Sequence, residues 1–526
     1  MTNSNRTQMK PIFPTFSKLF DWLLSTFSKL FDWLFSWRTI RRLLITSAVV
    51  VTLIVLFYTV ELVRGKWAWD KYVAETEARG EPLDIAALIP PPVPDDENFA
   101  MIPLFRDSFK FKPPFDSLDQ PDWGPYFEAS KKVRLLPRFD GNWIKGERID
   151  LSGWQKYYRS EDKPEADEKV PTSENPQSPA EDVLLALTVR KDVLDQLKGG
   201  SHRRYARFPI DYNANFAAVL PHLKPMKDAT LTLKQRALAH LALGNVNLAH
   251  QDVMLGFYLR DVIESEPLLI SLVLRIAEHS IMIHPVWEGI ADGKWNENQL
   301  KEFQELFEGD NWLADFKQTM RGERAFSIIA MDIIVGSSEN YTFFFSSYDG
   351  GSPLAHFLFP RGWIFQNKLS ICRWEEPFLS NTLDEKNMTL DMEQINNSAV
   401  ENGNRKNSPY NIFARMIAPA LSASALRSAR AQTVSDRAEI ACAIERYRLA
   451  IGSLPKTLDQ LVPGYMETLP HDVINGKPLN YKPEGNRRYL LYSVGSDQAD
   501  DGGDFKKDWV WLYEAAPDSN AASADN

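Results

Sequence analysis

The chain has 526 residues, 44% of them hydrophobic and 12% aromatic, with a net charge of −10. That apolar content supports packed cores and excludes a disordered chain, and the length sets a prior of three or four structural units. The acidic balance excludes nucleic acid as a partner class, and two cysteines, Cys372 and Cys442, are too few for a disulfide scaffold or a Cys-rich metal centre.

Residues 1–36 carry an identical repeat eleven residues apart, Phe16-Ser-Lys-Leu-Phe-Asp-Trp-Leu23 and Phe27-Ser-Lys-Leu-Phe-Asp-Trp-Leu34. Eleven residues make almost three helical turns, so Phe16, Leu19, Phe20, Leu23, Phe27, Leu30, Phe31 and Leu34 fall on one stripe. The pattern predicts an amphipathic helix lying in the membrane interface.

Residues 37–62 hold the longest apolar run, Leu43–Val60, eighteen residues without charge, Pro or Gly. At about 1.5 Å per residue it spans roughly 27 Å, close to a hydrocarbon core of about 30 Å. Glu61-Leu-Val-Arg64 follows in place of a small-residue cleavage site, so the run reads as an uncleaved single-pass signal-anchor. Residues 1–42 contain seven Lys/Arg and two Asp, a net +5, which leaves −15 for the remainder. The basic flank is expected to stay cytoplasmic, which puts the acidic body outside.

Residues 63–100 are expected to form a juxtamembrane helix and a Pro-rich spacer. Trp67–Arg79 suits a helix ended by Gly80, and Ile89-Pro-Pro-Pro-Val-Pro94 favours extended backbone that holds the body off the bilayer. Trp69-x-x-Tyr72 with Pro-Pro-Val-Pro-Asp95-x-x-Asn98-Phe-Ala100 resembles the same segment of uncharacterised membrane-anchored bacterial proteins, a resemblance that implies no activity. Residues 101–180 read as irregular. Residues 181–340 show helical periods at Asp182–Leu197, Leu233–Leu243, Leu248–Glu264, Pro267–Ile283 and Asn298–Leu306. Within them, Ala237 to Ala249, with Leu-Gly244 at the turn, resembles part of a tetratricopeptide repeat. No second copy follows at the 34-residue period, so stacked helix hairpins are expected rather than a repeat array. Residues 341–426 begin with ten aromatics in Tyr341–Trp374, suited to core packing, a ligand cleft or a second membrane contact, and continue as an Asn-rich polar loop.

Residues 427–515 carry the most informative order. A helix over Ala429–Ala450 ends at Gly452; Leu458–Pro463 gives a short turn; Gly476–Tyr481 and Arg488–Val494 suit a hairpin. The loop Gly495-Ser-Asp497-Gln-Ala-Asp500-Asp501-Gly-Gly-Asp504 follows, and then Asp508-Trp-Val-Trp511. The Glu445-Arg-Tyr447 helix end, Gly476-x-Pro478-Leu-x-Tyr481 and Tyr492-Ser-Val-Gly495-x-Asp497 together resemble the globular domain of type II secretion major pseudopilins. The resemblance implies the fold of that module, and calcium bound by Asp497, Asp500 and Asp501. Hard carboxylate oxygens converging on a Gly-rich turn suit that ion. An EF-hand is excluded, since Ala499 stands where a ligand is required. No pilin-type leader motif precedes Leu43, so pilus assembly is not implied. Residues 516–526 read as a disordered tail.

Catalytic patterns are lacking: no Gly-x-Ser-x-Gly, His-Glu-x-x-His, phosphate-binding loop or dinucleotide fingerprint occurs. His240 and His250 lie across the Leu-Gly turn and suit facing helices, while Glu278, His279 and His284 do not share one helical face. Outside the cytoplasm Cys372 and Cys442 either pair as a disulfide or remain buried thiols; both stay open. The expected fold is α+β, mainly α: a single transmembrane helix, a central helical-hairpin domain and a small helix-plus-antiparallel-sheet domain. The expected role is a scaffold or binding protein of a bacterial cytoplasmic (inner) membrane, its partners the membrane and another envelope protein. The alternative is an envelope hydrolase with a site between the helical domain and the aromatic segment.

Overall fold

The computed structural model describes residues 14–34, 36–110, 124–133, 141–160, 169–337, 342, 353–380, 382–384, 386–397, 408–485 and 488–514. The expected tail, Phe343-Phe-Phe345 and much of the Asn-rich loop lie outside these residues. The protein is mainly helical, 67% helix and 6% strand.

Helix α1, Pro14–Leu34, runs unbroken through both copies of the repeat, with Phe20, Leu23, Phe27, Leu30 and Phe31 exposed. Helix α2 runs from Trp37 to Ala78, capped at its start by the Ser36 hydroxyl, which accepts from Thr39 N. The expected boundary after residue 62 is absent: anchor and juxtamembrane helix are one rod of 42 residues. Its two parts differ in burial. Leu43 to Phe57 is exposed at every residue, whereas Glu61, Gly65, Trp69, Tyr72 and Thr76 are buried. Those spacings of three and four residues put them on one stripe that docks on the body.

The Pro-rich stretch differs from a free spacer. Pro90 O accepts from Arg207 Nε at 2.8 Å, Asn98 Oδ1 accepts from Arg207 N, and Phe99 N donates to Tyr205 O at 2.7 Å. Phe99 and Ala100 are fully buried, so this segment is already part of the core. Residues expected to be irregular include helices α3 (Pro103–Arg106), α4 (Gly124–Val133) and α5 (Leu151–Arg159).

The body is built from α6 (Pro179–Leu187), α7 (Lys191–Gly200), α8 (Leu223–Ala242), α9 (Val246–Asp261), α10 (Leu269–Ala291), α11 (Glu297–Glu308) and α12 (Trp312–Gly336). The helix expected over Asp182–Leu197 breaks at a 3-10 turn, Thr188–Arg190. The α8–α9 hairpin turns at Gly244, whose φ of +75° suits glycine. Helix α10 is long and apolar enough to cross a membrane, but Met282, Ile283, Val286, Trp287 and Ile290 are buried in the core. Helices α13 (Pro353–Leu358) and α14 (Arg361–Ser380) follow, and α14 packs along the second part of α2. A two-stranded ladder pairs β1 (Leu383–Asp384) with β2 (Thr389–Leu390).

Helix α15, Ile412–Ile451, begins well before the expected Ala429, and from Ala438 to Ile444 it is buried on all sides. Strands β3 (Asn480–Glu484), β4 (Arg488–Ser493) and β5 (Trp509–Glu514) form an antiparallel sheet in that order, with Tyr489 opposite Tyr513 and Leu491 opposite Trp511. Strand β5 is buried on both faces, since Trp143 covers Trp511 at 5.4 Å while Trp287 Nε1 donates to Leu512 O at 2.6 Å. A domain boundary at residue 427 would fall inside α15. Phe257, Trp287 and Phe303 share one hydrophobic core with Ile440, Leu491 and Trp511, so helices and sheet form a single packed unit. Each fully buried aromatic contributes about 3 kcal/mol of apolar burial, which ties the sheet to the helices.

Candidate functional site

The aspartate loop leaves β4 at Gly495, where φ is +71° and a Cβ would lie 2.2 Å from Lys507 O. That approach closes residues 495–508 into a tight ring. Asp497 Oδ1 accepts from Ala499 N, and Asp500 Oδ1 accepts from Gly502 N at 2.9 Å and the Tyr492 hydroxyl at 3.1 Å. Both carboxylates are therefore occupied in holding their own turn. Asp501 Oδ1 accepts from Lys507 Nζ at 2.7 Å, and Asp508 Oδ2 accepts from Gly503 N at 2.6 Å. Asp501 Oδ2 and Asp508 Oδ1 are buried without a hydrogen-bond partner. Burial pushes the Asp508 carboxyl up, and the neighbouring negative charge of Asp501 adds to it. Among the described residues, no three His, Cys, Asp or Glu side chains converge into a metal-binding group.

The two cysteines lie in different cores. Cys372 on α14 packs with Trp69, Tyr72 and Leu369; Cys442 on α15 sits among the residues joining helices to sheet. Both are buried and free, which corrects the disulfide alternative. The histidines also separate. His250 contacts Glu302 at 3.2 Å, whereas His240 lies near Asp252 and Arg236. Glu278 meets Thr230, and His284 meets Glu288.

A buried polar lattice joins α9, α10, α12 and α15, and it contains Ser, His and Asp side chains. His279 Nε2 lies 3.2 Å from Ser435 Oγ, and Ser435 Oγ donates to Asp310 Oδ2 at 2.7 Å. The polarity is opposite to that of a nucleophile-activating triad. Arg260 Nη1 lies 3.0 Å from His279 Nδ1 and can only donate, so Nδ1 accepts and Nε2 carries the hydrogen. Trp312 Nε1 also donates to Ser435 Oγ at 3.1 Å. The hydroxyl thus accepts twice and gives its proton to Asp310. Burial and the two nearby guanidiniums, Arg260 and Arg275, push the imidazole well below its usual range, which keeps it neutral. The lattice locks four helices together. It left no sequence motif because its partners lie 19 to 156 residues apart.

An open groove of about 520 Å³ runs between α10, α12 and α15. Leu268, Ile270, Val273 and Phe326 form apolar walls, with Glu323, Asn215 and Arg427 as polar points. Ile270 is 57% exposed, an unusual place for a large apolar side chain on a core helix. Glu323 Oε1 accepts from Leu269 N at 2.7 Å, and burial pushes its carboxyl up. Asn215 has φ 51° and ψ −126°, a strained conformation for a residue with a Cβ. Its Nδ2 donates to Phe326 O at 2.8 Å while Oδ1 is buried and unpartnered. Sequence reasoning missed this groove. Its one local signal, three apolar residues at the start of α10, reads equally well as core.

No protein-family profile, no curated protein and no solved structure matches this chain.

Proposed function

We propose that the protein is a membrane-anchored extracytoplasmic scaffold or binding protein of the bacterial cytoplasmic (inner) membrane, single-pass with its N-terminus in the cytoplasm. The observation that carries this reading is the continuity of α2. An apolar, outward-facing segment passes without a break into a stripe buried in the body, so the body is mounted rigidly on its anchor. The charge asymmetry favours the body outside. The open apolar groove over α10, α12 and α15 is the docking place for another envelope protein, and its open, mostly apolar lining favours binding over chemistry.

The pseudopilin-like order of α15 and the three-stranded sheet also implies calcium at the aspartate loop. The oxygens that fit it are Asp501 Oδ2 and Asp508 Oδ1, both buried and unpartnered, and not those of Asp497 and Asp500. Lys507 supplies the competing cation at Asp501. Bound there, calcium would hold the loop closed under the end of β4.

A reporter enzyme that is active only outside the cytoplasm, fused after Asn526, tests the orientation. Activity is expected, and a silent fusion made in normal amount would overturn the reading.

A further inference from the structure

The body meets its anchor at a second cavity, of about 390 Å³, at the outer end of the apolar run. Tyr58, Thr59 and Leu62 of α2 form one wall; His356 and Phe357 of α13, with Phe359 after it and Val335 of α12, form the other; Arg361, the first residue of α14, also lines it. The position is held firmly. Tyr58 donates its hydroxyl to Leu358 O at 2.6 Å, and Trp363 Nε1 donates to Glu61 Oε2 at 3.1 Å. Phe357, which also lines the cavity, is 81% exposed and Leu358 beside it 54%, both adjoining the apolar surface of the span. Exposed apolar side chains continuous with a membrane span belong in the bilayer rather than in water. Arg361 is exposed, and among the described residues no ion pair engages it.

We infer that this cavity is a lipid site: α13 dips into the outer leaflet beside α2, one acyl chain enters between Thr59, Leu62 and Phe359, and Arg361 binds the phosphate. The inference rests on the membrane anchoring proposed above. Three features select a lipid as occupant. One wall belongs to the span itself, so the cavity opens at the depth where acyl chains meet headgroups. Its mouth carries a cation able to bind phosphate with two parallel N–H groups. The neighbouring acid, Glu61, is already engaged by Arg64 at 2.9 Å, leaving the positive charge of Arg361 uncancelled. An anionic phospholipid is therefore favoured over a zwitterionic one, whose amine would meet Arg361 with like charge.

The test uses the full chain in vesicles containing phosphatidylglycerol or phosphatidylcholine with a photoactivatable group on the acyl chain, and adducts are mapped by peptide. Phosphatidylglycerol is expected to label residues 58–62 and 353–362 several-fold more than Val49–Leu53. Thr59→Trp, which fills the cavity, should abolish that excess, as should Leu62→Trp if the first variant melts early. Arg361→Gln should make the two lipids label equally. Even labelling along the span, in protein that resists alkaline extraction, would overturn the lipid site alone. Protein released by alkaline extraction would instead overturn the anchoring, and the lipid site with it.

Discussion

Gly65 and Gly362 meet backbone to backbone where the anchor helix joins the body. A Cβ on Gly65 would lie 2.3 Å from Gly362 O, and one on Gly362 would lie 2.1 Å from Glu61 O. Neither obstacle is a flexible side chain, so no rotamer change makes room. Gly65→Ala and Gly362→Ala are each expected to force α2 from α14 and cost about 2–3 kcal/mol. A thermal melt of detergent-purified protein should show it, with early proteolysis near Arg79–Gly80. Gly199→Ala, where nothing lies within 4 Å, should be neutral or slightly stabilising.

Ser435→Ala should destabilise by stranding two buried donors, Trp312 Nε1 and His279 Nε2, and by removing one of the bonds to the Asp310 carboxylate, which keeps Arg260. The expected cost is about 2–4 kcal/mol, seen as a lower denaturant midpoint. A serine-directed phosphonate should leave Ser435 unlabelled in the folded protein, since its proton is committed to Asp310. Stoichiometric labelling at Ser435 would revive the hydrolase alternative.

Two acids on α15 predict how stability depends on pH. Burial pushes Asp436 up to about 7 and Glu439 up to about 8, from ordinary values of 3.8 and 4.5. Raised folded values mean that the folded chain holds protons the unfolded chain has lost. This contribution is complete below about pH 4 and is lost as pH rises through 7 and 8. Replacing both, Asp436→Asn with Glu439→Gln, should raise stability at pH 8.5 by about 2 kcal/mol and leave it nearly unchanged at pH 4. Urea melts at the two pH values read the difference.

Calcium is expected to raise the melting temperature of the intact protein, more so in Lys507→Ala, where the competing ammonium is gone. Asp508→Asn should abolish the shift, while Asp497→Asn should keep most of it. An unchanged melting temperature at millimolar calcium in both wild type and Lys507→Ala would sink the site. The intact chain is required because the sheet shares its core with α8, α9, α10 and α11.

Cys372 and Cys442 should resist maleimide until the chain unfolds, then react together. Burial pushes both thiols up, which removes the reactive thiolate at neutral pH. Labelling of two thiols in denaturant without reductant would confirm that no disulfide joins them.

By itself the sequence determined the features that need only neighbouring residues. Leu43–Val60 has no charge, Pro or Gly to break it, and hydroxyls such as Thr52 and Thr59 bond back to their own helix, so an apolar helix is legible from local sequence alone. The hairpin turn at Gly244 and the β3–β4 hairpin after a long helix were legible for the same reason, since turn chemistry and alternation are local, whereas the pairing of β5 with β4 came from the tertiary structure. Tertiary structure decided what those elements belong to. Tyr72 finds Glu376, Trp287 finds Leu512 and Ser435 finds His279 across 304, 225 and 156 residues, and no spacing announces such pairs. For that reason a spacer at Pro90 became a contact with Arg207, and a separate C-terminal module became one face of a common core. Burial is a property of the whole fold, so it also decided which aspartates of the loop keep free oxygens and which are spent on their own turns.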